Sequence, residues 1–521
     1  MRPVVYSSEQ VQAWEQHWFV AGNSSYGLMQ QAAWQMTQHI QRFIAQCNEK
    51  LKRAPDFSNS QLNQPIILRQ YGFGVGSDFG IGVWCGAGNN GGDGWLIAAY
   101  LKQAGFNAWV FEVAAPQTTD AKLAKQYAQE TGINIYQQFN ALPHSQLSID
   151  AMFGIGVSRQ VSGHFHTAIE QFNQGISHKI AIDIPSGLHP DTGAVLGAAC
   201  VVDFTLTVIA YKAGLFTGQG KAYAGQVQLI ELIPPYDHIP SLATLDLHAP
   251  ILAKRKATGH KGSYGHVLII GGDENMGGAS IMSAQAALAV GAGKVTLLTH
   301  QQHHSAALTR CPNMMTLSMP YIEQISPEFA SQVVQGIDCI VIGMGLGRHA
   351  WGSAVWQAFL PVLKSSSEIK TVVVDADALW HLANEPLMDT KQHAHWYLTP
   401  HSGEAARLLG CDVQTIEQDR IAAIYQVYEK FGGHILLKGA GSLSLDAQGL
   451  SICALGNAGM ATAGMGDILA GMAGGLLAQL PDLAMHEIVA LHAAAGDLLA
   501  QDGERGLEAT AMLNMIKQVV N

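Results

Sequence analysis

Short runs of β-branched and aliphatic residues recur along this chain, separated by longer stretches with helical periodicity. They fall at residues 81–85, 108–113, 179–184 and 204–209 in the first half, and at 266–270, 294–299, 339–342, 371–374 and 434–437 in the second. Runs that are apolar along their whole length are strands buried on both faces, and a helix between two of them makes the crossover that parallel pairing needs. The alternation therefore predicts an α/β fold, with helices on both faces of parallel sheets. Ligands of such sheets bind beyond the carboxyl ends of the strands, so the residues that follow each run carry the functional information.

At 521 residues the chain is too long for one ordinary domain, and at 48% hydrophobic residues it is too apolar to be disordered. The strand-like run from Gln226 gives way to Pro234, Pro235, Pro240 and Pro250, which remove ladder donors and fix φ. The reading is two three-layer α/β domains, residues 1–235 and 250–521, with a linker at 236–249 and a surface loop at 48–64.

Charged residues make up only 13% of the chain, against about 25% in ordinary soluble domains, and the net charge is −11. Without a basic excess, nucleic acid is not an expected partner. The 7 cysteines are scattered without a CxxC pair, which fits reduced thiols in the cytoplasm. The opening MRPVVYSSEQ lacks the apolar core of a signal peptide. The most apolar long stretch, 274–294, carries Ser280, Ser283 and Gln285, too polar for a span of about 20 apolar residues. A soluble cytoplasmic protein with no membrane partner is expected. Glycine is the residue in excess, 56 in all, and it gathers where strands end.

In the first half, GAGNNGGDG (86–94) follows the run at 81–85 and leads into a helical pattern. A glycine turn feeding a helix N-terminus is an anion-binding arrangement, although glycines there serve a tight turn equally well. Asn89, Asn90 and Asp93 add oriented oxygens that suit a hydroxyl-rich ligand or a hard cation. Asp150 and Asp183 each follow apolar residues at a strand end, where an unpaired carboxylate is costly to bury. A cation would relieve that cost, and capping the next helix is the alternative.

These segments, with DAMFGIGVSRQ (150–160), DIPSG (183–187), DFTLTVIAYKAG (203–214) and an N-terminal helix carrying Leu28, Met29, Ala32 and Ala33, resemble the motif set of the NAD(P)H-hydrate epimerases over most of residues 5–232. The resemblance implies a Rossmann-like domain that interconverts the R and S epimers of NADHX and NADPHX, the reduced nicotinamide nucleotides hydrated at C6. It implies K+ on Asn90, Asp150 and Ser186. It places substrate on Asn89, Asn90, Gly91, Gly92 and Asp93, on Gly154, Ile155, Gly156, Val157, Ser158, Arg159 and Gln160, and on Asp183. Epimerisation needs a proton moved at the C6 hydroxyl, and Asp183 is the candidate carboxylate. Arg159 suits a bidentate contact with phosphate, or is a plain surface arginine.

Near the C-terminus, GNAGMATAGMGDILAGMAGGLLAQ (456–479) puts Gly464, Gly466 and Asp467 at the start of an apolar helix. Backbone N–H groups there can cradle a phosphoryl group while the carboxylate accepts a hydroxyl proton. Its companions at strand ends are GMGLG (343–347), DADAL (375–379), TPHSGE (399–404) and KGAGS (438–442). Together they resemble the ADP-dependent NAD(P)H-hydrate dehydratases, of ribokinase-like fold, over residues 250–518. Met344, Ser442 and Ala463 depart from the usual residues of that pattern.

This second resemblance implies removal of water from the S epimer at the expense of ADP, with release of AMP and phosphate. Lys438, Gly439, Ala440, Gly441, Ser442 and Gly466 would contact the nucleotide, and Ala279, Gly345, His401 and Asp467 the hydrate, with Asp467 as the base. His401, just after Pro400, also reads as a helix cap, and Asp375 and Asp377 as supporting residues. Mg2+ is expected with the nucleotide, and a homo-oligomer is implied. The competing reading, a small-molecule kinase with the same anion hole, leaves the first-half motifs without a role.

Overall fold

The computed structural model describes residues 2–53, 79–236, 238–319, 322–365, 371–385 and 395–521. The chain forms two compact units, one of Val4–Leu215 and Gln219–Leu242, the other of Ala243–Asn521 with Met1–Pro3 and Phe216–Gly218.

In the first unit β1 (Val4–Tyr6) pairs in parallel with β8 (Tyr211–Lys212). The main sheet comprises β2 (Gly80–Cys85), β3 (Asn107–Glu112), β4 (Asn134–Tyr136), β5 (Leu147–Ala151), β6 (His178–Ile182), β7 (Phe204–Val208) and β9 (Gln226–Ile230). Its order is β4-β3-β2-β5-β6-β7-β9, parallel throughout. The chain winds outward from β2 in one direction and then from β5 in the other, which makes the β2/β5 junction the switch point where such sheets bind ligands. The helix Asn89–Gln103 buries Trp95, Leu96, Ile97, Ala98, Ala99 and Leu101 completely, as a helix pressed on a sheet and covered by others must.

In the second unit the strands are β10 (Ala243–Asp246), β11 (His266–Ile270), β12 (Lys294–His300), β13 (Met315–Met319), β14 (Cys339–Ile342), β15 (Thr371–Val374), β16 (Trp396–Leu398), β17 (His434–Leu437), β18 (Leu443–Asp446) and β19 (Gly449–Cys453). They lie in the order β13-β12-β11-β14-β15-β16-β17-β18-β19-β10, with a second switch point between β11 and β14. The sheet is parallel from β13 to β17 and becomes antiparallel through β18 and β19, a hairpin the periodicity did not predict. Helix Met465–Gln479 is buried from Ile468 to Leu477 and belongs to the core of this unit.

Two expectations need correcting. The strand predicted at 179–184 stops at Ile182, because Asp183 turns into the left-handed region at φ 66°. Of the loop expected at 48–64, residues 48–53 continue the helix Ser25–Arg53, since no glycine or proline interrupts it, and 54–64 lie outside the described residues.

Candidate active sites

A cavity of about 960 Å³ opens at the carboxyl ends of β2, β5 and β6. Asn89, Asn90 and Asp93 line it from the first turn of helix Asn89–Gln103, residues 154–160 from the loop after β5, and Asp183 from the end of β6. Thr118 Oγ1 donates to Asn89 Oδ1 at 2.6 Å and fixes that amide. Arg159 is exposed and makes no hydrogen bond or ion pair among the described residues. Gly91 and Gly92 are buried beneath the cavity and do not line it. Their work is steric. A Cβ on Gly91 would collide with the Gly86 carbonyl oxygen, and one on Gly92 would stand 2.8 Å from Met29 Sδ. Met29, buried with Leu28, Ala32 and Ala33, thus seats the N-terminal helix on the asparagine loop.

Asn90, Asp150 and Ser186 are brought together around Phe153. Asp150 is fully buried. Its Oδ1 accepts from the Ser186 hydroxyl (2.6 Å) and the Met152 N–H (3.1 Å), and its Oδ2 from the Ser186 N–H (2.7 Å). Ser186 Oγ accepts from the Phe153 N–H at 2.8 Å, and Asn90 Nδ2 donates to the Phe153 carbonyl at 2.8 Å. Burial raises the pKa of Asp150, while hydrogen bonds from Ser186, Met152 and Cys200 oppose the rise. No cationic side chain pairs with this carboxylate among the described residues.

Asp183 has a partner that the sequence reading missed. Lys212, completely buried, donates from Nζ to Asp183 Oδ1 (2.5 Å), the Val208 carbonyl (2.6 Å) and Thr207 Oγ1 (3.1 Å). Ile209, next to this knot, also has a positive φ of 68°. Two further carboxyls line the same cavity, Asp93 and Glu15, the latter from helix Ser8–Val20. Burial, then Asp183, pushes Glu15 up to about 7, against the pull of Lys212. Burial, then Asp183 and Glu15, raises Asp93 well above the usual carboxyl range, and its Oδ1 is buried without a hydrogen-bond partner among the described residues.

In the second unit the strand ends converge on Lys438. Its Nζ donates to Asp375 Oδ1 at 2.6 Å and stands 3.8 Å from Glu404 Oε2. Asp375 occupies the N-cap of helix Ala376–Leu382 yet makes no capping bond there, its side chain being turned to Lys438, and Ala376 is held at φ 50°. A Cβ on Gly466 would stand 3.5 Å from Lys438 Nζ and 3.9 Å from Asp375 Oδ2, which puts the start of helix Met465–Gln479 against this pair. That helix begins at Gly464, φ 93°, a conformation a side chain resists. Ala463 is exposed and is not among the non-glycine residues with positive φ, so its Cβ fits.

Burial and then Asp375 push Asp467 up to about 6, with Lys438 opposing. Burial and then Asp375 push Glu404 up to about 7, again against Lys438. Burial works against the Lys438 ammonium, but Asp375, Glu404 and Asp467 outweigh it and hold its pKa above the ordinary value. His401 is a helix cap: its Nδ1 accepts from the Gly403 N–H (2.9 Å) and Glu404 N–H (3.3 Å), and Glu404 Oε2 accepts from the His401 N–H (2.8 Å). Gly345 lies beside Ala279, its hypothetical Cβ 3.4 Å from the Ala279 Cβ. Asp377 fixes the end of that glycine loop by accepting from the Gly347 N–H (3.0 Å) and Arg348 Nε (2.7 Å). Within residues 438–442, Ser442 Oγ donates to the Gly439 carbonyl at 3.0 Å. Arg420, a buried residue the sequence reading missed, donates to the carbonyls of Leu437 (3.2 Å) and Lys438 (3.1 Å) and to Ser402 Oγ (3.0 Å).

Among the described residues no three His, Cys, Asp or Glu side chains are grouped to hold a metal, and no helix is long and apolar enough to cross a membrane. Cys85, Cys200, Cys311, Cys339, Cys411 and Cys453 are free thiols.

A family profile described as NAD(P)H-hydrate dehydratase matches residues 267–518, and one described as the N-terminus of YjeF-related proteins matches residues 25–214. The bifunctional NAD(P)H-hydrate repair enzyme of Vibrio cholerae is 37% identical over 443 residues, 82% of this chain and 86% of its own. The enzyme of that description from Escherichia coli is 36% identical over 451 residues, 84% of each chain. Among solved structures, a ribokinase-like superfamily protein from Enterococcus faecalis is similar at 29% identity with a TM-score of 0.47, covering 52% of this chain and 91% of its own.

Proposed function

The chain belongs to the bifunctional NAD(P)H-hydrate repair enzymes, and from that premise we propose how its residues divide the work. Residues 1–235 interconvert the R and S hydrates, and residues 250–521 dehydrate the S form with ADP, in the cytoplasm and as a homo-oligomer.

In the second reaction the C6 hydroxyl attacks the β-phosphorus of ADP as Asp467 takes its proton, and the bond to AMP breaks. The ring nitrogen lone pair then expels phosphate from C6, and loss of a C5 proton restores the ring double bond of NAD(P)H. Residues 438–442 and Gly466 hold the nucleotide, and Ala279, Gly345 and His401 hold the hydrate. Lys438 and the N–H groups at the helix start answer the charge that develops on the transferred phosphoryl group. Asp375, Asp377, Glu404 and Asp467 set four carboxyls against the one Lys438 ammonium, and burial first, then Asp375 and Asp377, raises the Glu404 and Asp467 pKa values. That excess fits Mg2+ carried in with the nucleotide, with Asp375 and Glu404 as the side chains to hold it, and the ion would supply charge neutralisation at the phosphates.

In the first unit, Asp150 is a buried carboxylate with neutral donors and, among the described residues, no cationic partner. With Asn90, Ser186 and the Phe153 carbonyl it offers hard oxygen ligands, which fits K+. The bound ion would balance the Asp150 charge and fix the loops that carry Asn89 and residues 154–160. Asp183, bound to Lys212, faces the reacting ring, and Arg159 is free to meet a phosphate.

The observation that carries the reading is the meeting of Lys438, Asp375 and Asp467 at the glycine start of helix Met465–Gln479. Asp467→Asn is expected to lower ADP-dependent recovery of NADH from its S hydrate by about 10²–10⁴-fold, the usual range for a lost general base. Recovery within a few-fold of wild type removes Asp467 from the chemistry.

A further inference from the structure

We propose that Glu15 is the catalytic group that moves the proton at the C6 hydroxyl in the first unit, with Asp183 serving as a fixed counter-charge. The proposal rests on the epimerase reading above and deepens it.

Asp183 is tied to a cation through one oxygen. Its Oδ1 accepts from the Lys212 ammonium at 2.5 Å, and from Thr207 Oγ1 and the Val208 N–H at 3.3 Å each. A carboxylate held by an ammonium in this way is oriented to face positive charge opposite it. Glu15 differs in every respect. It reaches the cavity wall from helix Ser8–Val20 and is half-buried, with no hydrogen bond or ion pair among the described residues. The charged groups that face it are Asp183 just past β6, Lys212 on β8, and Asp93 on helix Asn89–Gln103. Three carboxyls thus share one ammonium. Burial and Asp183 leave Glu15 at about 7, where its acid and base forms coexist at neutral pH, as proton transfer in both directions requires.

Glu15 gives its proton to the C6 hydroxyl, the C6–O bond breaks with its electrons leaving on water, and the ring nitrogen lone pair forms a nitrogen–C6 double bond. The Asp183 carboxylate faces the resulting cation. Water adds to the opposite face of C6, and its proton passes into the carboxyl cluster of Asp93 and Glu15, restoring the starting state. No oxidant or nucleotide is consumed.

The test uses the full-length protein without ADP and follows interconversion of the separated R and S hydrates by chromatography. Glu15→Gln is expected to lower the rate by about 10²-fold or more, and Glu15→Asp by less, while dehydration of the pure S form with ADP stays at the wild-type rate in both. The wild-type rate is expected to fall as pH rises through about 7, and Glu15→Gln to lose that limb. A Glu15→Gln rate within about threefold of wild type, or a wild-type rate flat from about pH 6 to 8, overturns the proposal. Wild-type protein that leaves the epimers unchanged overturns the epimerase reading itself, and this proposal with it.

Discussion

Asp467 is held near 6 by burial and by Asp375, with Lys438 pulling the other way. A base must be ionised to accept a proton, so ADP-dependent NADH recovery is expected to rise as pH climbs through about 6 and to level off above it. Initial rates between about pH 5 and 8 measure this, and a profile without that limb assigns the base elsewhere. The residues visible in the sequence were those with a local signature. Asp150, Asp183 and Asp467 each stand between an apolar run and a glycine or serine turn. Glu15 and Lys212 carry no such mark. A glutamate in SEQVQAWEQHWFV reads as one more solvent-facing charge, and a lysine after a tyrosine as a strand edge. Only the tertiary fold turns both into one cavity.

Single helices and strands differ in how plainly they announce themselves. Parallel strands were readable because burial on both faces makes them apolar throughout. Their ends were less so, since β6 stops where Asp183 takes a left-handed turn for reasons of site geometry. The polar tail of helix Ser25–Arg53 lacks the apolar stripe that separates a helix from a loop. At this scale Arg420 matters most, because its guanidinium ties helix Arg420–Phe431 to the carbonyls at the end of β17. Arg420→Ala leaves those carbonyls without their donor, at about 1–3 kcal/mol for each buried group. The expected outcome is a lower melting temperature together with a raised KM for ADP, from loosening of residues 438–442. An unchanged KM would show that the loop holds its shape without the arginine.

Each of the two units has its own switch point, and each gathers its polar residues at the carboxyl ends of its own strands. Given a mixture of R and S hydrates with ADP, wild type is expected to restore all the NADH absorbance. Asp183→Ala should stop at the S fraction alone, and replacing K+ by a bulky organic cation should slow the same R-consuming phase. Full recovery by Asp183→Ala would mean that the first unit works without its counter-charge. Length and the proline cluster after residue 233 made a two-part chain readable, whereas the assignment of Met1–Pro3 and Phe216–Gly218 to the second unit depends on contacts that no local pattern encodes.

The left-handed non-glycine residues are Asp183, Ile209 and Ala376, among those described, and each lies just beyond a strand at one of the two sites. Such conformations cost about 1–2 kcal/mol apiece, and the surrounding packing must impose them. Heat resistance and catalytic output therefore pull these positions in opposite directions. A laboratory lineage bred only to survive boiling would find easy gains there, and would drift toward a sturdier protein that repairs fewer nucleotides.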